Sequence, residues 1–222
     1  KKVLFYDFEL GDKQFQMRYT DKQGNSYKFS DNLILDNLNT QELLNEYPII
    51  SLDILIIEQI KADIKSIKPD AVIIDNITYL ANESTQDAST SLNLIKALKG
   101  ITKENNLSML VLAHTPKIKE GTMLSLNELA GSKNLSNFAD SVSAIGKSTC
   151  DPNTRYIKQI KARSTQQIYH ENNVIIATMG KFNGFLSLKF DSFGKEKDLI
   201  RITGSYNIQK EEQYDEVIEL YQ

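Results

Sequence analysis

The sequence predicts an α/β fold: a mainly parallel, twisted sheet with helices on both faces and antiparallel strands at its C-terminal edge. Three observations carry that prediction. Apolar, β-rich runs at 3–8, 71–74 and 109–113 alternate with helix-length periodic stretches at 12–19, 52–67 and 91–104, the rhythm of strand–helix–strand units. From residue 141 the pattern switches to short β-like runs at 142–145, 156–160, 174–178 and 185–190, separated by Asn, Gly and Asp turns. The composition, 41% hydrophobic and 25% charged over 222 residues, suits one large α/β domain, alone or with a small appendage.

In chain order, the run Val3-Leu4-Phe5-Tyr6 follows Lys1-Lys2 with no turn or cap before it. A central strand needs neighbours on both sides, so a further segment is expected upstream. Asp12 is the expected N-cap of the helix over 12–19. A polar, β-leaning stretch covers 27–35. The helix over 52–67 carries Ile57, Ile60, Ile64 and Ile67 on one stripe, and Pro69 marks its end. The next helix turns Leu94, Ile95, Leu98 and Ile101 inward. Lys181-Phe182-Asn183-Gly184 reads as a hairpin, because Asn-Gly accepts the positive φ angles of a tight turn. Residues 210–222 form a charged helical pattern with Tyr214, Val217, Ile218 and Tyr221 on one face. The expected division is a core over 1–205 and a C-terminal helix over 206–222 that opens a further module.

Composition excludes several classes. No apolar run approaches the roughly 20 residues that cross a bilayer, and Ile54-Leu55-Ile56-Ile57 breaks at Glu58. A single cysteine, Cys150, forms no internal disulfide, which fits a reducing cytoplasm. With only His114 and His170 beside it, an ordinary structural zinc site is not expected. A net charge of −3 makes the domain as a whole no electrostatic nucleic-acid binder, so any DNA contact has to come from local basic loops.

Each apolar strand of the first half ends in a polar residue. The run 3–8 leads to Glu9, Val72-Ile73-Ile74 ends in Asp75-Asn76, and Leu110-Val111-Leu112-Ala113 ends in His114-Thr115. Ligands of open parallel sheets lie beyond the carboxyl ends of the strands, so these residues are expected to share one crevice. An aspartate after Ile-Ile is the form of a Walker B strand, which holds Mg²⁺ directly or through water. The alternative is a buried strand meeting a turn. Glu9 has the chemistry to activate a water molecule; otherwise it is a surface carboxylate. His114 can bond a terminal phosphate, or can be a satisfied histidine at a strand end.

A loop of the form Gly-x-x-x-x-Gly-Lys-Ser/Thr, which wraps phosphates in backbone N–H groups, occurs nowhere in the sequence. Gly146-Lys147-Ser148 imitates its end. Ser141 stands where the first glycine belongs, however, and Asp151-Pro152-Asn153 is a turn rather than a helix, so a strand end is predicted there.

These segments resemble the RecA-type ATPase core of the RepA-like and DnaB-like branch. Val3-Leu4-Phe5-Tyr6-Asp7-Phe8-Glu9 is similar to its catalytic-glutamate strand, and Val72-Ile73-Ile74-Asp75-Asn76-Ile77-Thr78-Tyr79-Leu80 to its Walker B strand. Leu112-Ala113-His114-Thr115-Pro116-Lys117 resembles its sensor strand, and Gly131-Ser132 through Asn137-Phe138-Ala139-Asp140-Ser141 the segment that follows. The resemblance covers most of 1–205 and implies a RecA-like three-layer fold, ATP and Mg²⁺ as cofactors, and a homo-oligomeric ring, such as a hexamer, acting on single-stranded DNA. It further implies that Lys161 and Arg163, in Lys161-Ala162-Arg163, reach a neighbouring subunit's γ-phosphate; the alternative is a solvated basic edge strand that includes Lys158. Lys117, Lys119 and Lys133 are the implied DNA-contact candidates, or else part of a polar loop. The implied task is ATP hydrolysis coupled to DNA replication or mobilisation, helicase action included. A non-catalytic assembly or DNA-binding module and an ATP-driven recombination or signalling mediator are the competing readings.

Overall fold

A computed structural model of the chain describes residues 1–36, 38–77, 88–115, 117–128, 133–182 and 184–200, excluding the side chains of 88–92, 128 and 133–135. Its contacts divide the chain into two compact units. The first comprises Lys1–His114, Gly131–Phe138 and Asn183–Phe185, the second Thr115–Ala130, Ala139–Phe182 and Leu186–Gln222. The expected C-terminal helix at 206–222 lies outside the described residues.

The first unit contains β1 (Val3–Asp7), α1 (Asp12–Arg18), β2 (Leu33–Asp36), α2 (Thr40–Glu46), α3 (Leu52–Ile67), β3 (Ala71–Asp75), α4 (Ala88–Asn105), β4 (Ser108–Val111) and α5 (Lys133–Phe138). Its strands make a parallel sheet in the order β2-β1-β3-β4. Strand alternation sends Leu4, Tyr6 and Phe8, with Val72 and Ile74, to one face. There they join Ile56, Ile60 and Ile64 of α3 and Leu94, Leu98 and Ile101 of α4 in one buried cluster. Each such side chain stabilises the fold by about 1.5–3 kcal/mol on burial.

The other row is Phe5, Ile73 and Leu110, aligned across three strands. It is covered less: Leu110 is 58% exposed. Helices on both faces were expected. Among the described residues, the apolar faces of α2, α3, α4 and α5 all feed the same cluster, because the rows at Leu4 and Val72 are the ones that meet their Ile and Leu stripes.

Local chemistry fixes the helix ends. Helix α3 spans the predicted residues; Ser51 is its extended N-cap and Lys68 ends it in the left-handed conformation, φ 52°, one residue before Pro69. Asp12 is not the cap of α1 as expected but its first helical residue. Gly11 takes the cap position, and the Gln14 side chain accepts the Gly11 N–H at 3.2 Å. Helix α2 was not anticipated. The Asn39 side chain opens it by accepting the N–H groups of Gln41 and Glu42 at 3.2 and 3.3 Å.

The second unit contains a 3₁₀ turn at Leu126–Glu128, β5 (Ser141–Lys147), β6 (Thr154–Ala162), β7 (Val174–Phe182), most of β8 (Phe185–Gly194) and α6 (Glu196–Leu199). These strands pair in sequence order as a sheet of their own. The expectation that they extend the edge of the parallel sheet is therefore corrected. Each strand pairs with its sequence neighbour, so β5 and β6 satisfy one another from Ser141↔Ala162 to Lys147↔Arg155. Gly184, at the predicted hairpin, has φ +80°; Asn183 lies outside the described residues.

Gly146-Lys147-Ser148 lies on β5 and just beyond it, as a strand end. Gly146 faces the buried Tyr156 ring so closely that an added Cβ would stand 2.2 Å from Cζ. The Ser148 hydroxyl donates to the Leu199 carbonyl at 2.9 Å and accepts the Cys150 N–H at 3.1 Å. Beside Tyr156, the fully buried Glu196 carboxylate meets Lys158 Nζ at 2.6 Å. It also accepts the Leu124 N–H at 2.7 Å and the Tyr156 hydroxyl at 3.2 Å, while Lys158 donates to the Leu124 carbonyl at 2.8 Å. Lys158 therefore belongs to a core ion pair on an interior strand and not to a solvated basic edge. Among the described residues no helix is long and apolar enough to cross a membrane.

Candidate functional site

The first unit places the three anticipated strand-end residues on one rim. Strands β1, β3 and β4 are adjacent and parallel, with Asp7 level with Asp75, so their carboxyl ends open on the same side. The Asp7 side chain shapes the exit of β1. Its Oδ1 accepts the N–H groups of Glu9 at 3.0 Å and Leu10 at 2.9 Å, a local turn that stops the strand and turns Glu9 outward. The Phe8 N–H still reaches the Asp75 carbonyl at 2.6 Å. At the exit of β3 the Asp75–Asn76 peptide is cis, and the Ile77 N–H bonds the Leu112 carbonyl at 2.9 Å. These backbone bonds tie the three exits together before any side chain contributes.

The side chains then converge on Glu9. Asn76 Nδ2 donates to Glu9 Oε2 at 2.6 Å, and His114 Nε2 lies 3.1 Å from the same oxygen. Asn76 is 3% exposed, whereas the side chains of Glu9 and His114 are 47% and 61% exposed. The His114 hydrogen bond is the main influence holding the Glu9 carboxyl below its ordinary pKa, against partial burial and with help from Asn76 and the charges of His114 and Arg18. Glu9 is thus an anionic acceptor, which makes His114 Nε2 the donor.

Asp75 is shifted the other way. Burial raises its pKa first, and the neighbouring carboxylates of Asp7 and Glu9 add to that; Arg18 and His114 oppose it. The rim therefore sets the Asp75 carboxyl beside two further carboxylates, with one imidazole and one guanidinium opposing them. Hard oxygen donors with surplus negative charge fit a small divalent cation. Among the described residues no group of three or more His, Cys, Asp or Glu side chains is arranged to hold a metal ion. A cation at Asp75 would thus draw its remaining ligands from water or substrate, the usual habit of Mg²⁺.

The other candidates lie elsewhere. Lys161 and Arg163 belong to the second unit. Lys161 stands opposite Val142 near the end of β6. Arg163 binds Asp140 twice, through its N–H to the carbonyl at 2.8 Å and through Nη1 to Oδ1 at 3.4 Å. Lys117 and Lys119 are exposed in the segment after His114. Lys133 begins α5, with its side chain outside the description. Pro116, Gly131, Ser132 and Thr78-Tyr79-Leu80 also fall outside the described residues.

Sequence reasoning missed Asn76, Asp7 and Arg18 as members of the site. Asp7 carried a signal, a carboxylate inside an apolar strand on the same alternation as Asp75. Asn76 carried only its position after Asp75, and the bond that gives it meaning spans 67 residues. Comparison of the sequence with protein-family models and with curated proteins finds no match.

Proposed function

We propose that the chain is the hydrolytic side of an ATP site in an oligomeric, DNA-linked ATPase with a RecA-like core. The supporting observation is the convergence of Glu9, Asn76 and His114 at the ends of three adjacent parallel strands, next to Asp75. In this reading Glu9, anionic and half open to solvent, accepts a proton from the attacking water. Asp75 positions Mg²⁺, which supplies charge neutralisation on the phosphates when bound. His114 contacts the γ-phosphate and relays its loss to the segment that begins at Thr115. Lys161 and Arg163 serve the site of a neighbouring subunit, where a cation offsets charge developing on the transferred group. The phosphate grip comes from outside these 222 residues, since no Gly-Lys-Ser/Thr loop other than the β5 strand end occurs in them. Lys117, Lys119 and Lys133 are the proposed contacts to single-stranded DNA.

That same absence favours one rival, a non-catalytic assembly or DNA-binding module that keeps the fold without nucleotide chemistry. The two readings part on one experiment. In the full-length protein, Glu9→Gln is expected to lower DNA-stimulated ATP hydrolysis by about 100-fold or more, the usual contribution of a general base, with nucleotide affinity retained. Full activity in that variant removes Glu9 from the mechanism, and a wild-type protein that binds no nucleotide establishes the rival.

A further inference from the structure

We propose that Asn76 is a positioning residue that acts through Glu9 and forms the fixed prong of a two-pronged clamp on its carboxylate. The inference rests on the hydrolase reading and adds a division of labour within the site. A buried side-chain amide is tolerated only where it is hydrogen-bonded. Asn76 is 3% exposed, and its Nδ2 lies 2.6 Å from Glu9 Oε2, the short distance of a bond to a charged acceptor.

Both prongs meet on one oxygen. Asn76 and His114 each bond Oε2, and among the described residues Oε1 accepts no hydrogen bond. Two donors from beyond the ends of two different strands therefore fix the rotation of the carboxylate and leave Oε1 as the oxygen that takes a proton.

The prongs differ in freedom. Asn76 is buried at a strand exit that the next residue locks to β4, through the Ile77 N–H to the Leu112 carbonyl at 2.9 Å. His114 is 61% exposed. A histidine that leaves Glu9 for a phosphoryl oxygen would, without Asn76, release the carboxylate at the moment its aim matters. With Asn76 in place, Glu9 keeps its orientation while His114 changes partner. The Glu9 N–H, held by Asp7 at 3.0 Å, completes the support from the backbone side.

The test compares kcat and KM for ATP in the full-length protein, with the affinity of a non-hydrolysable ATP analogue measured separately. Asn76→Ala is expected to lower kcat by roughly 10- to 100-fold, the size of effect that follows a misaimed catalytic group. KM and analogue affinity should change by less than about threefold. Asn76→Asp keeps the shape, removes the donor and sets a second carboxylate against Glu9, so it should fall at least as far; it carries the test if the alanine variant does not fold. The decisive arm is the double variant Glu9→Gln/Asn76→Ala. A residue that acts only through Glu9 leaves it no slower than Glu9→Gln alone, whereas a merely structural residue adds its own loss. A folded Asn76 variant at the wild-type kcat, or a double variant slower than Glu9→Gln by a further order of magnitude, overturns the clamp. Full activity in Glu9→Gln alone removes Glu9 from the mechanism, and a wild-type protein that binds no nucleotide overturns the hydrolase reading itself.

Discussion

The two units each hold a cluster of charged side chains around a carboxylate, and they treat it in opposite ways. In the antiparallel unit Glu196 is fully buried, and Lys158, Tyr156 and the Leu124 N–H hold both of its oxygens. In the parallel unit Glu9 and Asp75 stand at the open ends of strands, one drawn toward the anion by His114 and the other pushed toward the neutral acid by burial and by its neighbours. A closed, fully buried cluster offers no exposed acceptor to a substrate, so its role is structural. An open cluster of carboxyl groups keeps a surplus of negative charge that a cation would relieve. The contrast teaches that partner saturation, more than the mere presence of charged residues, separates a staple from a site.

The largest test of the contrast removes one partner of the closed pair. Lys158→Met leaves Glu196 buried without its cation and is expected to destabilise the chain by about 3–5 kcal/mol, read from urea unfolding. Lys158→Met combined with Glu196→Gln should recover a large part of that loss, because no isolated charge remains. Gly146→Ala comes next. Its methyl group meets the buried Tyr156 ring beside the same pair, and overpacking of this kind costs about 1–3 kcal/mol.

The open cluster should respond least in stability and most in pH dependence. Glu9 has a lowered pKa in the fold, so its contribution is present above the ordinary glutamate value and is lost as pH falls through the folded one. Asp75 has a raised pKa, so its charged form works against the fold above the ordinary aspartate value, and acid relieves it. Asp75→Asn is therefore expected to be at least as stable as the parent at neutral pH, the gap closing toward about pH 4. Glu9→Gln should lose a little stability at neutral pH, by a fraction of about 1 kcal/mol for so exposed a group. Urea midpoints followed across that range check both signs. If both variants track the parent, the rim is electrostatically idle and the contrast fails.

How much of this the sequence carried depends on the reach of each interaction. The range of α3 and the places of β1 and β3 are local patterns, and they read correctly because periodicity and apolar runs act over a few residues. The α2 helix was legible in principle, since Asn39 stands three residues before Glu42, a helix-start signature, but at seven residues it offers little periodicity. The separate antiparallel sheet was not legible: short strands state that they pair with neighbours, but not whether a sheet built earlier in the chain will accept them. Lys158 misled for a related reason. A lysine on a β-run looks solvated until Glu196, 38 residues on, takes it inside. At the rim the residue types at strand ends were visible. That Glu9 and His114, 105 residues apart, touch through one oxygen was not.

The Leu124 peptide has a practical consequence. Its N–H ends on Glu196 and its carbonyl on Lys158, so its amide can meet solvent only when that ion pair opens. Deuterium uptake at this one position is therefore a gauge of the interior of the antiparallel unit. It should run slower than at the exposed residues Lys117 and Lys119 nearby, and Lys158→Met should speed it up before the rest of the unit gives way.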